Sequence, residues 1–128
     1  MIDETHRADL RSWVDSANDP GTDFPIQNLP LGIVRRDPGG AELAGVAIGD
    51  DVVLLDAAVR LGLLSGPARE AAAACAVGFL NPLMALGPNA RRALRAGLVD
   101  ALREDSETGR RARSHASELL VKASDVVV

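Results

Sequence analysis

The segment of residues 18–32 carries a proline at every fifth position: Pro20, Pro25 and Pro30. Proline has no main-chain N–H and pushes the residue before it towards extended geometry. The segment therefore cannot be a helix and is unsuited to the centre of a sheet. Four apolar side chains still indicate that much of it is buried: Phe24, Ile26, Leu29 and Leu31. We expect an extended, irregular segment, the proline strap, whose main-chain groups find few partners in a regular ladder.

Polar side chains in the proline strap have two possible roles. Asp19, Asp23, Gln27 and Asn28 could contact a ligand, or they could bond main-chain groups that lack a ladder partner. Side-chain amides and carboxylates commonly satisfy such groups in buried, irregular segments, so we favour the second role.

The sequence around the strap predicts a small unit of short strands and tight turns. Residues 33–36 read as a strand, and residues 37–40 read as a turn. The alternation of residues 46–48 predicts one arm of a hairpin, and residues 52–55 predict the other. Between them, Gly49 and Asp50 are suited to a two-residue turn.

The second half of the chain predicts helices. We place Asp56 as the N-cap of a short helix. Pro67 stands at the favoured first position of an alanine-rich helix, whose small side chains would let another element approach closely. A further helical turn begins with Asn81 as N-cap and stops at Gly87.

The strongest helical signal lies in residues 87–105. Its charged residues, Arg95 among them, fall mostly away from the apolar face. A last helix is predicted after residue 106, broken near Gly109 and resuming towards residues 119–121. The terminal Asp-Val-Val-Val has the pattern of a strand cut at its start. The apolar residues of the strong helix recur at helical spacing: Leu94, Leu98, Ala101 and Leu102.

Composition excludes several classes of function. The chain has 128 residues, which suits one domain, and its 47% hydrophobic content can fill a core. A formal charge of −4 gives no field that would attract nucleic acid or an anionic membrane. Its few aromatic residues, two Phe and one Trp, do not suit a polyproline-binding groove or a base-stacking surface. It shows neither a signal peptide nor an apolar run of about 20 residues, so we predict a cytoplasmic protein.

The familiar catalytic and metal-binding motifs are missing from the sequence, which has no CxxC, HExxH, phosphate-binding loop, nucleophile elbow or dinucleotide fingerprint. His6 and His115 lie in charged segments without a second ligand at helical spacing, and we interpret both as solvated. Cys75 has no basic neighbour that would lower its pKa, so we interpret it as a small buried residue in a reducing compartment.

Two charged groups leave alternatives open. The neighbouring carboxylates Asp50 and Asp51 could touch a cation, although turn formation explains them more simply. Arg110, Arg111 and Arg113 could form an anion patch, although in an acidic protein we favour a solvated helix face. The residues by themselves indicate a small α+β domain without catalytic machinery.

Several strings in the chain match a known family. They are Ser12-Trp13 with Ser16–Asn18, the strap string Asp23–Gly32, Gly45–Asp50 in the hairpin, and Phe79–Gly87. Together they resemble the start of the fumarylacetoacetases, and the resemblance runs from about Ser12 to the end of the chain.

The resemblance implies a fold and a parent activity. The fold would be α+β, with a small SH3-like β-barrel and a hairpin at 45–55, followed by C-terminal helices. The strap would seal a barrel edge or a domain junction. The parent enzymes hydrolyse 4-fumarylacetoacetate to fumarate and acetoacetate in tyrosine and phenylalanine breakdown. They are homodimers that bind Ca²⁺ or Mg²⁺ through carboxylates of a larger catalytic domain, where a His–Glu pair activates water.

The catalytic part of that family has no counterpart in this chain. The family's Asp-Tyr-x-Asp-Phe-Tyr segment and its catalytic histidine are expected beyond residue 128, and the chain contains no Tyr. We therefore assign no catalytic, cofactor-binding or metal residue here, and His115 is not the family's histidine.

The expected domain comprises residues 1–128: a loose lead (1–12), a β-rich part (13–56), a helical part (57–124) and a cut link (125–128). Its expected role is structural, as the non-catalytic N-terminal domain that positions its own catalytic domain. The alternative is a free-standing protein-interaction module derived from that domain.

Overall fold

The segments with alternating apolar residues form antiparallel strands that lie next to one another in a sheet. The computed structural model describes residues 10–35, 42–75 and 87–123. In these ranges the strands are β1 (Leu31–Arg35), β2 (Glu42–Ile48), β3 (Asp51–Leu54) and β4 (Leu120–Lys122). They form a four-stranded sheet in the order β1-β2-β3-β4. The helices are α1 (Leu55–Arg60), α2 (Gly66–Cys75), α3 (Pro88–Leu102), α4 (Glu107–Ser114) and α5 (Ala116–Leu119).

The predicted hairpin is confirmed. Ile48 pairs with Asp51 across the Gly49-Asp50 turn. Gly49 has a φ of 56°, whereas no non-glycine residue of the described ranges has a positive φ. A turn with positive φ at its first central residue alone is the II′ type, whose twist suits a hairpin. The second arm begins and ends one residue earlier than predicted, because Asp51 already pairs with Ile48 and Leu55 begins α1.

The strong helix is also confirmed, as α3. Pro88 occupies its N-terminal turn, and Leu94, Leu98 and Leu102 are buried. The prediction that small residues in α2 allow a close approach is confirmed as well. A Cβ on Gly97 would lie 2.8 Å from the Cβ of Ala68 in α2, so these helices pack almost backbone to backbone. The buried apolar cluster runs from the sheet through α1 and α2 to α3.

Two local predictions about helix ends were wrong. Asp56 is not an N-cap, since Leu54 holds that position without a side-chain bond and Asp56 lies exposed in the first turn. Gly109 does not break a helix but lies buried inside α4, where Ser106 caps the helix by accepting from the Gly109 N–H at 2.8 Å. Glycine suits this position because any Cβ would collide with the Arg103 carbonyl.

The end of the described chain was also mispredicted. The helical path stops at Leu119, and residues 120–122 extend as β4, pairing Val121 with Val52 on β3. The outer edge of β3 thereby gains hydrogen-bond partners that a helix could not supply.

The α+β class is confirmed, but the closed barrel is not. Within the described residues the sheet is open, with β1 and β4 at opposite edges. The predicted turn at 37–40, the Asn81 N-cap and the Asp-Val-Val-Val end lie outside the described residues, as does His6. None of the described helices has the length and apolarity needed to cross a bilayer.

Candidate functional site

As far as Pro30 the proline strap runs along the hairpin outside its ladder, and its last two residues, Leu31 and Gly32, begin β1. The Gly49 N–H donates to the carbonyl of Phe24 at 2.7 Å, and the Ala47 N–H donates to the carbonyl of Pro30 at 3.1 Å. Between these two bonds, the side chain of Ile26 is buried to 1% exposure. The strap therefore serves as an acceptor for hairpin N–H groups, a role that proline permits because its carbonyl remains available.

As predicted, side-chain amides of the strap donate hydrogen bonds to main-chain carbonyls in and around it. The Gln27 amide donates to the carbonyl of Leu10 at 3.1 Å, and the Asn28 amide donates to the carbonyl of Asp23 at 3.1 Å. The Asp19 carboxylate accepts the N–H of Gly21 at 2.9 Å, which closes a local turn. These bonds confirm the predicted role for Asp19, Gln27 and Asn28, whereas Asp23 takes part only through its main-chain carbonyl.

Arg95 is a partner of the strap that the sequence did not reveal. From α3 its guanidinium donates to the carbonyl of Gln27. The helical pattern predicts Arg95 away from the apolar face, whereas the structure has it half-buried. Its spacing offered a signal, because Arg95 stands three residues before Leu98 and seven before Leu102, at the edge of the buried stripe.

The segment that leads into the strap, residues 11–18, clamps the end of α3. Ser12 is 1% exposed, and its hydroxyl donates to the carbonyl of Leu102 at 2.5 Å while accepting the Val14 N–H at 3.0 Å. The indole N–H of Trp13 donates to the carbonyl of Ala101 at 2.9 Å. The last carbonyls of a helix lack intrahelical donors, and the clamp supplies them.

The same clamp segment holds the hairpin turn. The Ser16 hydroxyl accepts the N–H of Asp50 at 2.9 Å. Gly49 comes so close to the segment that a Cβ there would lie 2.6 Å from the nitrogen of Ala17 and would overlap the Ser16 hydroxyl. Asn18 closes the clamp from the other side by exchanging two bonds with the main chain of Ser12, at 2.9 and 2.8 Å.

An open cleft of about 540 Å³ lies where the strap, the hairpin turn and the end of β4 meet. Asp23, Phe24, Asp50 and Lys122 are among its lining residues. Beside it, burial raises the pKa of the Asp51 carboxyl; Lys122 opposes the shift and Asp50 adds to it. The structure thus brings Asp23 and Asp50 to one cleft, whereas Asp19 borders a different one.

The acidic groups do not assemble into a recognisable metal centre in the described part of the chain. No three His, Cys, Asp or Glu side chains of these ranges are placed to share an ion. His115 is exposed at the junction of α4 and α5.

The arginine cluster is on the exposed surface of α4. Arg111 donates to the carbonyl of Gly62 at 2.7 Å, so it holds the turn after α1. Arg110 and Arg113 are exposed. This placement agrees with a solvated helix face. Cys75, the remaining candidate, is the last residue of α2.

The open four-stranded sheet, the helices packed on it and the strap held by side-chain bonds define a small α+β domain. The fumarylacetoacetase N-terminal family model matches residues 27–128. The chain belongs to this family, which confirms the resemblance seen in its sequence.

Relatives with the same name come from plants and animals. The chain is 37% identical over 126 residues to a fumarylacetoacetase of Oryza sativa subsp. japonica, covering 95% of this chain and 29% of that protein. It is 37% identical over 109 residues to the Mus musculus fumarylacetoacetase, covering 79% and 25%. With the Caenorhabditis elegans protein it shares 35% over 108 residues, covering 84% and 25%. The chain thus spans less than a third of the length of these relatives.

Proposed function

We propose that this chain is the non-catalytic N-terminal domain of a fumarylacetoacetase and that it positions the catalytic domain. Its family membership supports the parent enzyme, and its share of the relatives' length, 29% and 25%, supports a part of a larger protein. The parent would hydrolyse 4-fumarylacetoacetate to fumarate and acetoacetate in the cytoplasm, during tyrosine and phenylalanine breakdown. The enzyme would be a homodimer.

The structural role is supported by hydrogen bonds from polar side chains to main-chain groups of other segments. Ser12, Gln27 and Arg95 all bond main-chain carbonyls of distant segments. Every buried side-chain N or O atom in the described ranges has a partner. Such an arrangement fixes the position of the strap and hairpin, and a fixed surface is what a positioning domain requires.

Catalysis would belong to the rest of the enzyme. The family resemblance implies that carboxylates there hold Ca²⁺ or Mg²⁺, which would bind the diketone oxygens of the substrate. The described residues of this chain do not fit that role, because no three of their His, Cys, Asp or Glu side chains are placed to share an ion. We therefore assign this chain no catalytic step.

The test is an assay of fumarylacetoacetate cleavage by the purified 128-residue chain with Mg²⁺ or Ca²⁺, next to the full-length enzyme. We expect no turnover by the chain and turnover by the full-length enzyme. Metal-dependent turnover by the chain alone would overturn the non-catalytic role. A reading frame that ends at Val128 would instead favour the free-standing interaction module.

A further inference from the structure

The sequence predicts a buried Phe24, which is wrong: it is the one large apolar side chain left exposed in the described residues, at 37%. Its main chain is nevertheless fixed on both sides. The Phe24 N–H donates to the Thr22 hydroxyl at 3.2 Å, and its carbonyl accepts the Gly49 N–H at 2.7 Å. Pro25 restricts it further. An exposed aromatic ring on a fixed backbone loses little entropy on binding, which is typical of the anchor residue of an interface.

The surroundings of the ring have the composition of an interface. The Phe24 surface, as we define it, comprises Thr22, Asp23, Phe24, Gly49, Asp50 and Lys122, which line the open cleft. Asp23, Asp50 and Lys122 are exposed. An apolar centre with a charged, solvated rim is the usual anatomy of a contact between folded units.

The main chain leaves the described fold at this same surface. β4 ends at Lys122, and the Ala123 N–H still donates to the carbonyl of Asp50 at 2.9 Å. The direction of the chain is therefore held against the hairpin turn up to residue 123. In the N-terminal family to which this chain belongs, the rest of a longer protein follows in sequence. The chain covers 29% of the rice relative, so a body more than twice its size would continue from this cleft.

We infer that the Phe24 surface is the contact surface for the remainder of the same polypeptide, with the Phe24 ring seated in an apolar pocket of that remainder. This inference rests on the proposed function and deepens it, because it names the face through which the positioning domain holds its catalytic partner. The strap thus has two sides, with Ile26 directed into the core and Phe24 directed outwards to the partner.

Carboxyl labelling tests this placement without a mutation. A carbodiimide and an amine modify accessible carboxylates, and peptide mass spectrometry gives the rate at each position. We compare the 128-residue chain with the full-length enzyme. Asp23 and Asp50 should label several-fold more slowly in the full-length enzyme. Asp56 and Asp100 are internal controls, because both are exposed away from the cleft, and their rates should not change.

A Phe24→Ala variant gives a second measurement. In the 128-residue chain the residue is 37% exposed, so the substitution should lower the thermal unfolding midpoint only moderately. In the full-length enzyme the same change should lower the midpoint clearly more, because truncating an anchor removes its contacts across the interface. Arg110→Ala, on the exposed face of α4, is the matched control and should behave alike in both proteins.

The outcomes separate this inference from the proposed function. Unchanged labelling of Asp23 and Asp50, with protection at Asp56 or Asp100 instead, would overturn the Phe24 surface and leave the positioning role intact. A full-length protein that does not cleave fumarylacetoacetate would overturn the proposed function, while protection at Asp23 and Asp50 would still support the surface. A reading frame that stops at residue 128 would overturn both.

Discussion

The guanidinium of Arg95 donates a hydrogen bond to the main-chain carbonyl of Gln27, a residue 68 positions earlier in the chain. This bond joins α3 to the middle of the proline strap. A charged donor to a half-buried carbonyl is stronger than a neutral one. Arg95 therefore has a structural role, although it belongs to a helix whose other arginines are largely exposed.

Arg95→Met should destabilise the chain by about 1–3 kcal/mol, because it removes a charge-assisted bond and leaves the Gln27 carbonyl without this donor. Urea unfolding at neutral pH measures the change. Arg92→Met is the matched control, since Arg92 is exposed on the same helix and its loss should stay within about 0.5 kcal/mol. Equal losses in the two variants would contradict the assigned role.

Ser12→Ala should cost about 1–3 kcal/mol, because the buried Val14 N–H would lose its acceptor and the Leu102 carbonyl one of its donors. Ser114→Ala removes a hydroxyl of similar geometry, donated to the carbonyl of Arg111 at 2.6 Å, but on an exposed surface. Its effect should be within about 0.5 kcal/mol. Denaturant unfolding measures the loss of unfolding free energy in both variants. An equally small loss in Ser12→Ala would show that the clamp is dispensable.

Gly49→Ala and Gly62→Ala separate backbone strain from collision. Both glycines have positive φ, 56° and 72°, so alanine costs about 1–2 kcal/mol at either site. At Gly62 nothing lies within 4 Å of the added Cβ. At Gly49 the Cβ meets Ser16 and Ala17, which adds about 1–3 kcal/mol. Thermal or urea unfolding should therefore rank Gly49→Ala as the more damaging change, and the reverse order would refute the close contact.

The raised pKa of Asp51 predicts that folding stability depends on pH, and it fixes the sign of that dependence. Burial raises the pKa of its carboxyl above the ordinary 3.8, while Lys122 opposes the shift and Asp50 reinforces it. The folded state therefore holds the proton more tightly than the unfolded state. In the window from pH 3.8 up to the folded pKa, stability falls as the pH rises, and above that window the charged form remains unfavourable.

Asp51→Asn removes this penalty. Its advantage over the wild type in unfolding free energy should grow as the pH rises through the window and then level off at neutral pH. In a Lys122→Met background the advantage should be larger, because the opposing cation is gone. Urea unfolding of these variants across the acidic range gives the curve. An advantage that shrinks with rising pH would mean that Lys122, rather than burial, dominates.

Local patterns sufficed where an element depends on its own residues. The hairpin at Gly49 and the helix around Leu98 follow from alternation, turn chemistry and helical spacing. The roles of Gln27 and Asn28 also follow, because prolines in an irregular segment leave main-chain groups that nearby amides can reach. These predictions needed no knowledge of distant partners.

The other features depend on contacts between remote residues. β4 is a three-residue strand that exists because β3 has an outer edge to pair with. The bond from Arg95, the Ser12 contact with Leu102 and the cleft that Asp23 shares with Asp50 all join segments that are far apart in the sequence. The SH3-like barrel came from the family resemblance, and the described sheet is open at β1 and β4.

The place of β4 in the sequence has a consequence for biosynthesis. The ribosome synthesises β1, β2 and β3 first. It then synthesises all five described helices before it reaches Leu120–Lys122, which form β4. Until that moment the outer edge of β3 presents unpaired N–H and C=O groups, which readily pair with strands of other chains. Nascent chains should therefore be most prone to aggregate between the synthesis of Leu54 and that of Lys122, and most dependent on chaperones during that interval.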